Sequence, residues 1–442
     1  MNRRDFLKHT ALTGAAAALS TGRAAGEQAV KPSDRVTLGL IGSGARVQQL
    51  IGASQQIPGV EIVALSDAYS GRAERARQRT NGRAEILTDS RAVLARPDID
   101  AVIIGTPDHL HTPIALAALD AGKDVYIEKP MTYTVDEGLQ IIGAVKRTKR
   151  VVQVGSQGMS SSLNGKAREL LQAGRLGKVT MIRASYNRNT AGGAWIYPIP
   201  PDASPQTVRW DDFLGPAPKH AFDAARFFRW RCYWDYSGGI AGDLFVHLLT
   251  TIHFVTGARM PASVVATGEL YRWSDSREVP DTLNAILVYP EGFTVNLSST
   301  FNNQSSSESG FEILGTEGSL AFRGGRLSFA RENVREDNGW IVESWPEALE
   351  RAYYADPKVK ARESPDTWPQ QMRPGVETWE EWGRSTDVVH LSNFIDAVRT
   401  RQQPKQDAET GHHAASAAHM VNLSLRAGTP IQWDFEKDAV KK

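Results

Sequence analysis

The chain has 442 residues, enough for two domains that each bury a core of their own. Its 51 Lys and Arg residues balance its 50 Asp and Glu residues, and no long run of like charge occurs. This balance argues against nucleic acid or an anionic membrane as the main partner. A single cysteine, Cys232, excludes an internal disulfide and a cysteine-based zinc site.

The N-terminal segment has the features of an export signal. It starts with basic residues, continues through an apolar, small-residue centre at about residues 11–19, and reaches small residues near position 25. The centre is too short to span a bilayer, so we expect no stable membrane insertion of the mature chain. The motif RRDFLK at residues 3–8 is similar to twin-arginine signals, which export folded proteins. We therefore assign residues 1–27 to a signal peptide and predict a periplasmic or otherwise exported protein.

The segment RVTLGLIGSGARVQQLIGAS predicts a strand, a glycine turn and an amphipathic helix. Glycine permits the tight turn and the close approach of a pyrophosphate to the helix N-terminus. Gly42 and Gly44 match two of the three glycines in the G-x-G-x-x-G fingerprint, and Val47 stands at the third. Asp67 ends the next predicted strand, where a carboxylate binds ribose hydroxyls and repels a 2′-phosphate. The pattern favours NAD as cofactor over NADP.

Strands and helices continue to alternate as far as VVQVGSQ, which ends at residue 157. This alternation predicts an α/β Rossmann domain with a parallel sheet over residues 34–157. Ligands of such sheets bind beyond the carboxyl ends of the strands. The residues that follow predicted strands should therefore line one crevice: Gly42, Ser43, Gly44, Ala45, Arg46, Asp67, Thr106, Pro107, Asp108, His109, Glu128, Lys129, Gly155, Ser156 and Gln157.

His109 and His111 have a spacing that metal sites also use. No third ligand lies nearby in the sequence, so we predict no metal site. We assign both histidines to the cofactor side of the crevice, where His111 either contacts the cofactor or begins a helix.

The pattern changes after residue 157. A helix and a strand are followed by a segment rich in Trp, Tyr, Pro and Arg, and then by successive short strands over residues 262–330 with tight linkers. We predict an α+β domain with an open, mostly antiparallel sheet over residues 158–385. Two amphipathic helices within residues 386–442 are expected to return to the first domain. Six aromatic residues could stack on sugar rings or belong to the core: Trp195, Tyr197, Trp230, Tyr233, Trp234 and Tyr236.

The segment DYSGGIAGDLFVHLL predicts a helix start with Asp243 and His247 four residues apart, and thus on one face. Histidine, with a reference pKa near 6.5, can accept a proton at neutral pH. A lysine ammonium such as Lys129 could stabilise a developing alkoxide. The residues alone leave other interpretations open: a helix-start aspartate with a buried structural histidine, and a surface lysine at a strand end.

The segment GTPDHLHTPIALAALDAGKDVYIEKPMT closely resembles one shared by the Gfo/Idh/MocA oxidoreductases, which include glucose–fructose oxidoreductase and inositol dehydrogenase. The resemblance extends from about Val36 to the C-terminus. It implies that Lys129 is catalytic beside the nicotinamide, that Glu128 has a cofactor-side role, and that Pro130 follows a constrained, often cis, peptide.

The same resemblance places a D-x-x-x-H motif opposite the nicotinamide. It implies that His247 is the general acid or base and that Asp243 positions the substrate. It also implies that the open face of the second sheet makes oligomer contacts, so we expect a homodimer or homotetramer.

Three functions follow as hypotheses. The first is an NAD(P)-dependent oxidoreductase that acts on a sugar, cyclitol or glycoside hydroxyl, with a tightly bound cofactor that is recycled in place. The second is an NAD-dependent glycoside hydrolase that oxidises its sugar transiently; related glycosidases carry a Gly-Gly-His-Gly loop, whereas the comparable region here reads GRSTDVVHLSNF. The third is a sugar-binding relative without turnover.

Overall fold

The computed structural model describes residues 34–275, 277–303, 310–332, 338–363 and 375–441. The predicted signal at residues 1–27 lies outside these ranges. In the described part, two sheets each carry a hydrophobic core.

The first sheet has six parallel strands in the order β3-β2-β1-β4-β5-β6. Its strands are β1 Val36–Ile41, β2 Val60–Ser66, β3 Glu85–Ile86, β4 Ala101–Ile104, β5 Asp124–Glu128 and β6 Val152–Gly155. The connecting helices are α1 Ala45–Ser54, α2 Ser70–Arg79, α3 Ser90–Leu94, α4 His111–Asp120 and α5 Val135–Thr148. This order brings the carboxyl ends of β1, β4 and β5 to one edge, where a ligand crevice is expected.

Both faces of this sheet are covered, because its central strands are apolar on both sides. One core contains Leu38, Leu50 and Phe394, from β1, α1 and a late helix, and the other contains Val102, Ala118 and Ile141. The strands of a parallel sheet buried on both faces have continuous apolar sequences rather than an alternation of apolar and polar residues.

The second sheet has ten strands in the order β14-β13-β12-β11-β7-β10-β9-β8-β15-β16. Its strands are β7 Val179–Ser185, β8 Ser263–Glu269, β9 Thr282–Val288, β10 Thr294–Thr300, β11 Phe311–Gly315, β12 Gly318–Arg323, β13 Arg326–Arg331, β14 Glu377–Glu380, β15 Ile431–Asp434 and β16 Ala439–Val440. In the described ranges β7 and β10 pair in parallel, and the other neighbours pair antiparallel.

Helices complete the remainder of the fold. They are α6 Ser162–Gln172, α7 Trp210–Leu214, α8 Ala224–Phe228, α9 Val246–Thr256, α10 Gly339–Val342, α11 Glu347–Ala355, α12 Pro357–Glu363, α13 Thr386–Thr400 and α14 Ala408–Ala427. A π-helical segment, Ala241–Phe245, leads into α9. In the ranges described above, no helix combines the length and apolarity of a membrane span.

The second sheet is covered on one face and open on the other. On β9, Leu283, Ala285 and Leu287 are buried in the core, whereas Ile286 and Val288 between and beyond them are exposed. This period-two alternation is typical of a half-buried antiparallel sheet. The two sheets together confirm the predicted fold class.

The last two helices pack against both parts of the molecule. Helix α13 lies on α1, and α14 lies on α5, α9 and β8. Arg401, just after α13, donates from both terminal nitrogens to the buried Asp124 carboxylate at 2.6 and 2.9 Å. This bidentate ion pair fixes the end of α13 beside the start of β5.

Candidate active site

A crevice of about 920 Å³ lies between the carboxyl ends of the parallel strands and the second sheet's helices. Thirteen residues predicted from the sequence line it: Gly42, Gly44, Ala45, Arg46, Asp67, Thr106, Pro107, Asp108, Glu128, Lys129, Gln157, Asp243 and His247. The fold thus brings the motifs of both halves of the chain to one cavity.

In the turn after β1, a close contact between Val47 and Gly105 compensates for the missing third glycine of the fingerprint. Gly42 has a φ of +80°, and a Cβ there would lie 2.8 Å from the Gly105 carbonyl oxygen. Val47 is fully buried, and a Cβ on Gly105 would lie 2.2 Å from its side chain. Because Gly105 lacks a side chain, Val47 fits and α1 keeps its close approach to β4.

Asp67 is buried at the end of β2 and holds this turn. One carboxylate oxygen accepts from the Ser43 N–H at 2.6 Å, and the other accepts from the Tyr69 N–H at 2.8 Å. Ser43 itself is buried in the turn and does not line the crevice. The carboxylate therefore lies at the crevice and orders the loop that a dinucleotide would contact.

Glu128 ends β5 as part of an ion-pair network across three elements. Its Oε1 accepts from Arg46 Nε at 2.9 Å, and Arg46 Nη2 donates to Asp387 Oδ1 of α13 at 2.9 Å. Arg46 lies in the first turn of α1, so the network connects the nucleotide-binding turn to the C-terminal part of the chain. The Lys129–Pro130 peptide that follows is cis, which confirms the constrained peptide implied by the resemblance.

His109 and His111 lie behind the crevice lining. His109 Nε2 lies 2.8 Å from the Phe213 carbonyl oxygen, and His111 contacts the carbonyl oxygens of Pro130 at 2.7 Å and Thr106 at 3.0 Å. Burial lowers the pKa of His109 to about 4 and lowers that of His111 as well. The His111 ring thus supports the segments that carry Thr106 and Lys129, whereas the His109 ring contacts α7. His111 begins α4, which was one of the two expectations for it.

The residues at the strand ends fit a nicotinamide dinucleotide. The Thr106 hydroxyl and the Gln157 side-chain carbonyl are buried at the crevice without a hydrogen-bond partner among the described residues. A Cβ on Gly44 would meet nothing within 4 Å, so the backbone there faces open space. Unsatisfied polar groups beside an open backbone are what a polar ligand would pair with.

Lys129 and Asp243 form a direct contact between the two halves of the crevice. Lys129 Nζ donates to the Asp243 side-chain Oδ1 and to its backbone carbonyl, both at 2.8 Å. Arg231 Nε donates to the same Oδ1 at 3.0 Å. Burial alone would raise the pKa of the Asp243 carboxyl, but the Arg231 and Lys129 cations hold it well below its usual range. Asp243 is thus an ionised anchor for two cations.

The π-helical segment accounts for the double contact to Asp243. A π-helical turn widens the backbone and departs from the regular i to i+4 hydrogen-bond pattern. Asp243 lies within this segment, and its carbonyl oxygen accepts from the lysine instead of serving the helix alone. His247, in the first turn of α9, still faces the same crevice.

His247 presents a neutral imidazole to the crevice. Its ring lines the crevice, and no hydrogen bond to it occurs among the described residues. Burial, followed by the Lys129 ammonium, lowers the pKa of His247 to about 3. The imidazole is therefore neutral at pH 7 and free to accept a hydrogen bond from a substrate hydroxyl.

Asp108 is a second carboxyl in the crevice, and its pKa is shifted in the opposite direction to that of Asp243. Burial raises its pKa to about 7, although Arg231 and Lys129 both lie near enough to lower it. Its Oδ2 accepts from the Gly238 N–H at 3.1 Å. Two carboxyls, Asp108 and Asp243, thus share the same cations while their pKa values are displaced in opposite directions, a pattern common at functional sites.

The sequence analysis missed part of the end of the crevice that contains Asp243 and His247. Arg231, Arg188 and Tyr186 line it, and none of them was singled out from the sequence. Of the six aromatic candidates, Trp195, Tyr197 and Trp230 line the crevice, and Tyr236 is buried in the core. The available signal was the alternation of Trp, Tyr and Arg in RWRCYW.

Fold and site together define a two-domain protein of the dinucleotide-binding oxidoreductase class. A model of the oxidoreductase family with NAD-binding Rossmann fold matches residues 36–156, and a model of the GFO/IDH/MocA C-terminal domain matches residues 205–321. The two together cover more than half of the chain, which therefore belongs to the Gfo/Idh/MocA oxidoreductase family. A model of twin-arginine translocation signals matches residues 1–20 and confirms the predicted export signal.

Individual relatives match the chain over part of their length. Inositol 2-dehydrogenase 4 from Saccharopolyspora erythraea is 30% identical over 197 residues, which are 43% of this chain and 53% of the relative. Inositol 2-dehydrogenase from Gluconacetobacter diazotrophicus is 34% identical over 35% of this chain and 47% of its own length. A glycosyl hydrolase family 109 protein from Solibacter usitatus is 29% identical over 42% of this chain and 46% of its own. Each match thus spans about half of the relative.

Solved structures share the fold over most of the chain. Levoglucosan dehydrogenase in complex with NADH and levoglucosan has a TM-score of 0.66 and 20% identity, covering 90% of this chain and 99% of its own. Aldose-aldose oxidoreductase from Caulobacter crescentus complexed with glycerol has a TM-score of 0.64 and 18% identity, with the same coverage of both chains. At this identity the likeness concerns the fold.

Proposed function

We propose that the protein is an NAD-dependent dehydrogenase that oxidises a secondary hydroxyl of a sugar, cyclitol or glycoside. The observation that carries this proposal is the contact of Lys129 Nζ with Asp243 at 2.8 Å, beside the neutral imidazole of His247. The same crevice contains the Gly42 turn and Asp67 at its other end. A proton acceptor and a cation therefore lie in one cavity with a nucleotide-binding turn.

The chemistry divides between these residues. Oxidation of a secondary alcohol removes a hydride from carbon and a proton from oxygen, and NAD⁺ supplies the hydride acceptor when bound. His247 accepts the hydroxyl proton, because its imidazole is neutral and unpaired. The Lys129 ammonium stabilises the negative charge that develops on the oxygen, and the ionised Asp243 orients that ammonium.

We assign NAD rather than NADP as the cofactor because of Asp67. Its carboxylate is held at the crevice by the N–H groups of Ser43 and Tyr69. A negative charge at this position accepts hydrogen bonds from ribose hydroxyls and repels a 2′-phosphate. The cofactor contacts of Gly44, Thr106 and the other predicted residues belong to the same proposal.

The twin-arginine signal bears on where and how the enzyme works. We infer that the protein acts in the periplasm and carries its cofactor across the membrane inside the folded chain. A free NAD pool is not expected there, so the cofactor is held tightly and reset in place by a second substrate.

We also propose a division of labour and an assembly. Residues 34–157 hold the cofactor, residues 158–385 supply the substrate side and subunit contacts, and residues 386–442 return to the first unit. The open face of the second sheet forms a concavity of about 800 Å³ that includes the exposed Val265 and Ile286. An exposed apolar sheet face of this kind is the surface on which we expect a second copy to dock.

The test is to purify the mature protein, record its absorbance near 340 nm, and add sugars, cyclitols and glycosides in turn. Formation of NADH without release of an aglycone supports the dehydrogenase. The partial match to a glycosyl hydrolase family 109 protein makes the redox-neutral hydrolase the alternative. Release of aglycone without net NADH would establish it, and failure to extract or bind any nicotinamide would refute both.

Replacement of the catalytic lysine tests the site itself. Lys129→Ala is expected to abolish turnover while nicotinamide binding, measured by NADH fluorescence, remains detectable, because the ammonium acts on the reacting oxygen. Lys219→Ala, which changes an exposed lysine outside the crevice lining, serves as the control. Turnover of Lys129→Ala at the rate of the control would remove the lysine from the mechanism.

A further inference from the structure

The substrate end of the crevice carries more positive than negative side chains. Lys129, Arg188 and Arg231 line it, and the Asp243 carboxylate is shared between Lys129 and Arg231. Arg188 has no acidic partner among the described residues; its Nη1 donates to the Gly193 carbonyl oxygen at 3.1 Å. One carboxylate therefore faces three cations.

Neighbouring acids do not remove this excess. Glu128, the next carboxylate along the crevice, is already paired with Arg46 at 2.9 Å. Asp108 lies close to Arg231 and Lys129, but burial raises its pKa to about 7, so it is only partly ionised at neutral pH. His247 is neutral there as well.

Arg231 is held as an open fork. Its Nε is bound to Asp243, and its guanidinium carbon lies 4.2 Å from the centroid of the Trp230 ring. The two terminal nitrogens of Arg231 have no hydrogen-bond partner among the described residues and belong to a side chain that lines the crevice. A planar guanidinium fixed at Nε and by stacking presents two parallel N–H donors that match a carboxylate.

Arg188 faces the same region from the end of β7. Its guanidinium lies 5.8 Å from the Phe301 ring centroid. Tyr197 lies near both arginines: burial raises the pKa of its hydroxyl, and Arg231 and Arg188 oppose that effect. Both guanidinium groups thus lie near the Tyr197 phenol at the substrate end.

We propose that the substrate is a sugar acid, a uronate or aldonate, whose carboxylate is bound by Arg231 and Arg188 while Lys129 and His247 act on a hydroxyl. This inference rests on the proposed dehydrogenase function and specifies its substrate class. The carboxylate balances the excess positive charge and satisfies the open donors of Arg231, which water would otherwise solvate.

The experiment compares sugars that differ only in the acid group. D-glucuronate and D-galacturonate are assayed against D-glucose and D-galactose, with D-gluconate and glucose 6-phosphate as further arms. We expect kcat/KM to be about 10- to 100-fold higher for the carboxylates than for their neutral partners, the range of charge-assisted hydrogen bonds. Equal values for the paired sugars, or a preference for the phosphate, would overturn the inference.

Two arginine variants test the assignment. Arg188→Gln, which leaves the contacts of Asp243 intact, is expected to reduce the ratio of acid to neutral kcat/KM toward one. Arg231→Gln is expected to reduce that ratio as well and to lower both rates, because it also removes a partner of Asp243. Arg83→Gln, an exposed arginine outside the crevice lining, should keep the ratio of the unmodified protein.

Binding separates failure of this inference from failure of the proposed function. The sugar acids should raise the melting temperature of the purified protein, and Arg188→Gln should diminish that shift. If no sugar is oxidised but the acids still protect the protein through Arg188, the carboxylate site of Arg231 and Arg188 stands and the dehydrogenase proposal fails. If neutral sugars are oxidised and protect equally well, the dehydrogenase stands and the inference fails.

Discussion

The ionisation of Asp108 couples directly to stability. Its pKa is raised by burial to about 7, with Arg231, Lys129 and Asp243 as the charged groups around it. A carboxyl whose pKa is higher in the folded than in the unfolded chain binds a proton more tightly when folded. Between about pH 4 and pH 7 the unfolded chain has lost this proton and the folded chain keeps it, so stability from this group falls as pH rises.

Asp108→Asn removes this dependence and keeps an acceptor for the Gly238 N–H. The melting temperature of the variant minus that of the unmodified protein should therefore be larger at pH 8 than at pH 5. Thermal unfolding followed by circular dichroism at the two pH values measures the difference. Glu291→Gln, on an exposed turn, is the control. If the melting temperatures of variant and unmodified protein differed by the same amount at both pH values, the raised pKa of the buried Asp108 carboxyl would be contradicted.

At the scale of residues, the sequence analysis identified the positions where chemistry and spacing coincide. Lys129, Asp243 and His247 were inferred from a motif and from helical spacing, and the fold places them in one crevice. Arg231 was not identified, because its contact with Asp243 spans twelve residues of irregular chain that no periodicity describes. The contact of His109 with the Phe213 carbonyl depends in the same way on α7, about a hundred residues later in the chain.

In the turn between β1 and α1, one glycine is needed for stability and another for ligand binding. At Gly42 the φ of +80° and the short distance to Gly105 both oppose a side chain. At Gly44 the φ is −64° and a Cβ would meet no protein atom within 4 Å. We expect Gly42→Ala to lower the free energy of unfolding by about 1–3 kcal/mol. Gly44→Ala should leave it nearly unchanged and weaken NADH binding, because its side chain would enter the crevice.

Urea unfolding and NADH fluorescence titration measure the two effects. Gly82→Ala provides a matched control, since Gly82 has a φ of +73° with open space around it and reports backbone strain without a clash. Gly42→Ala should be destabilised more than this control. If Gly44→Ala lost stability but bound NADH normally, the separation of roles would be wrong.

Elements with a strong local signal could be predicted well. Helix α5 begins at Val135, where Thr134 and Glu137 form a capping box, and it belongs to the predicted alternation of strands and helices. The π-helical turn at Ala241–Phe245 was not predicted, because an extra residue in a helical turn leaves the apolar pattern almost unchanged. The parallel pairing of β7 with β10 was also not predicted, since register between distant strands is set by tertiary packing.

At the scale of the whole molecule, the open face of the ten-stranded sheet is the proposed subunit contact. Ile286 is 49% exposed near the centre of that face. Ile286→Glu places a charge where we expect a second copy, and burial of an unpaired charge is costly. The variant should therefore shift the protein toward the monomer in light scattering coupled to gel filtration, with activity assayed on the separated species.

Leu139→Glu, a comparable change at an exposed position of α5, should leave the oligomer unchanged. A monomeric unmodified protein, or an Ile286→Glu variant that keeps the same mass in solution, would contradict the proposed interface.

The network that joins Glu128, Arg46 and Asp387 has a consequence for the order of biosynthesis. The signal at the N-terminus leaves the ribosome first, and the residues of the parallel sheet follow within the first 155 positions. Asp387, which is paired with Arg46, is made well after that sheet, together with the helix that covers one of its faces. A growing chain thus exposes its export signal long before its ligand crevice is complete, and a twin-arginine route, which exports folded proteins, leaves time for the crevice to form before transport.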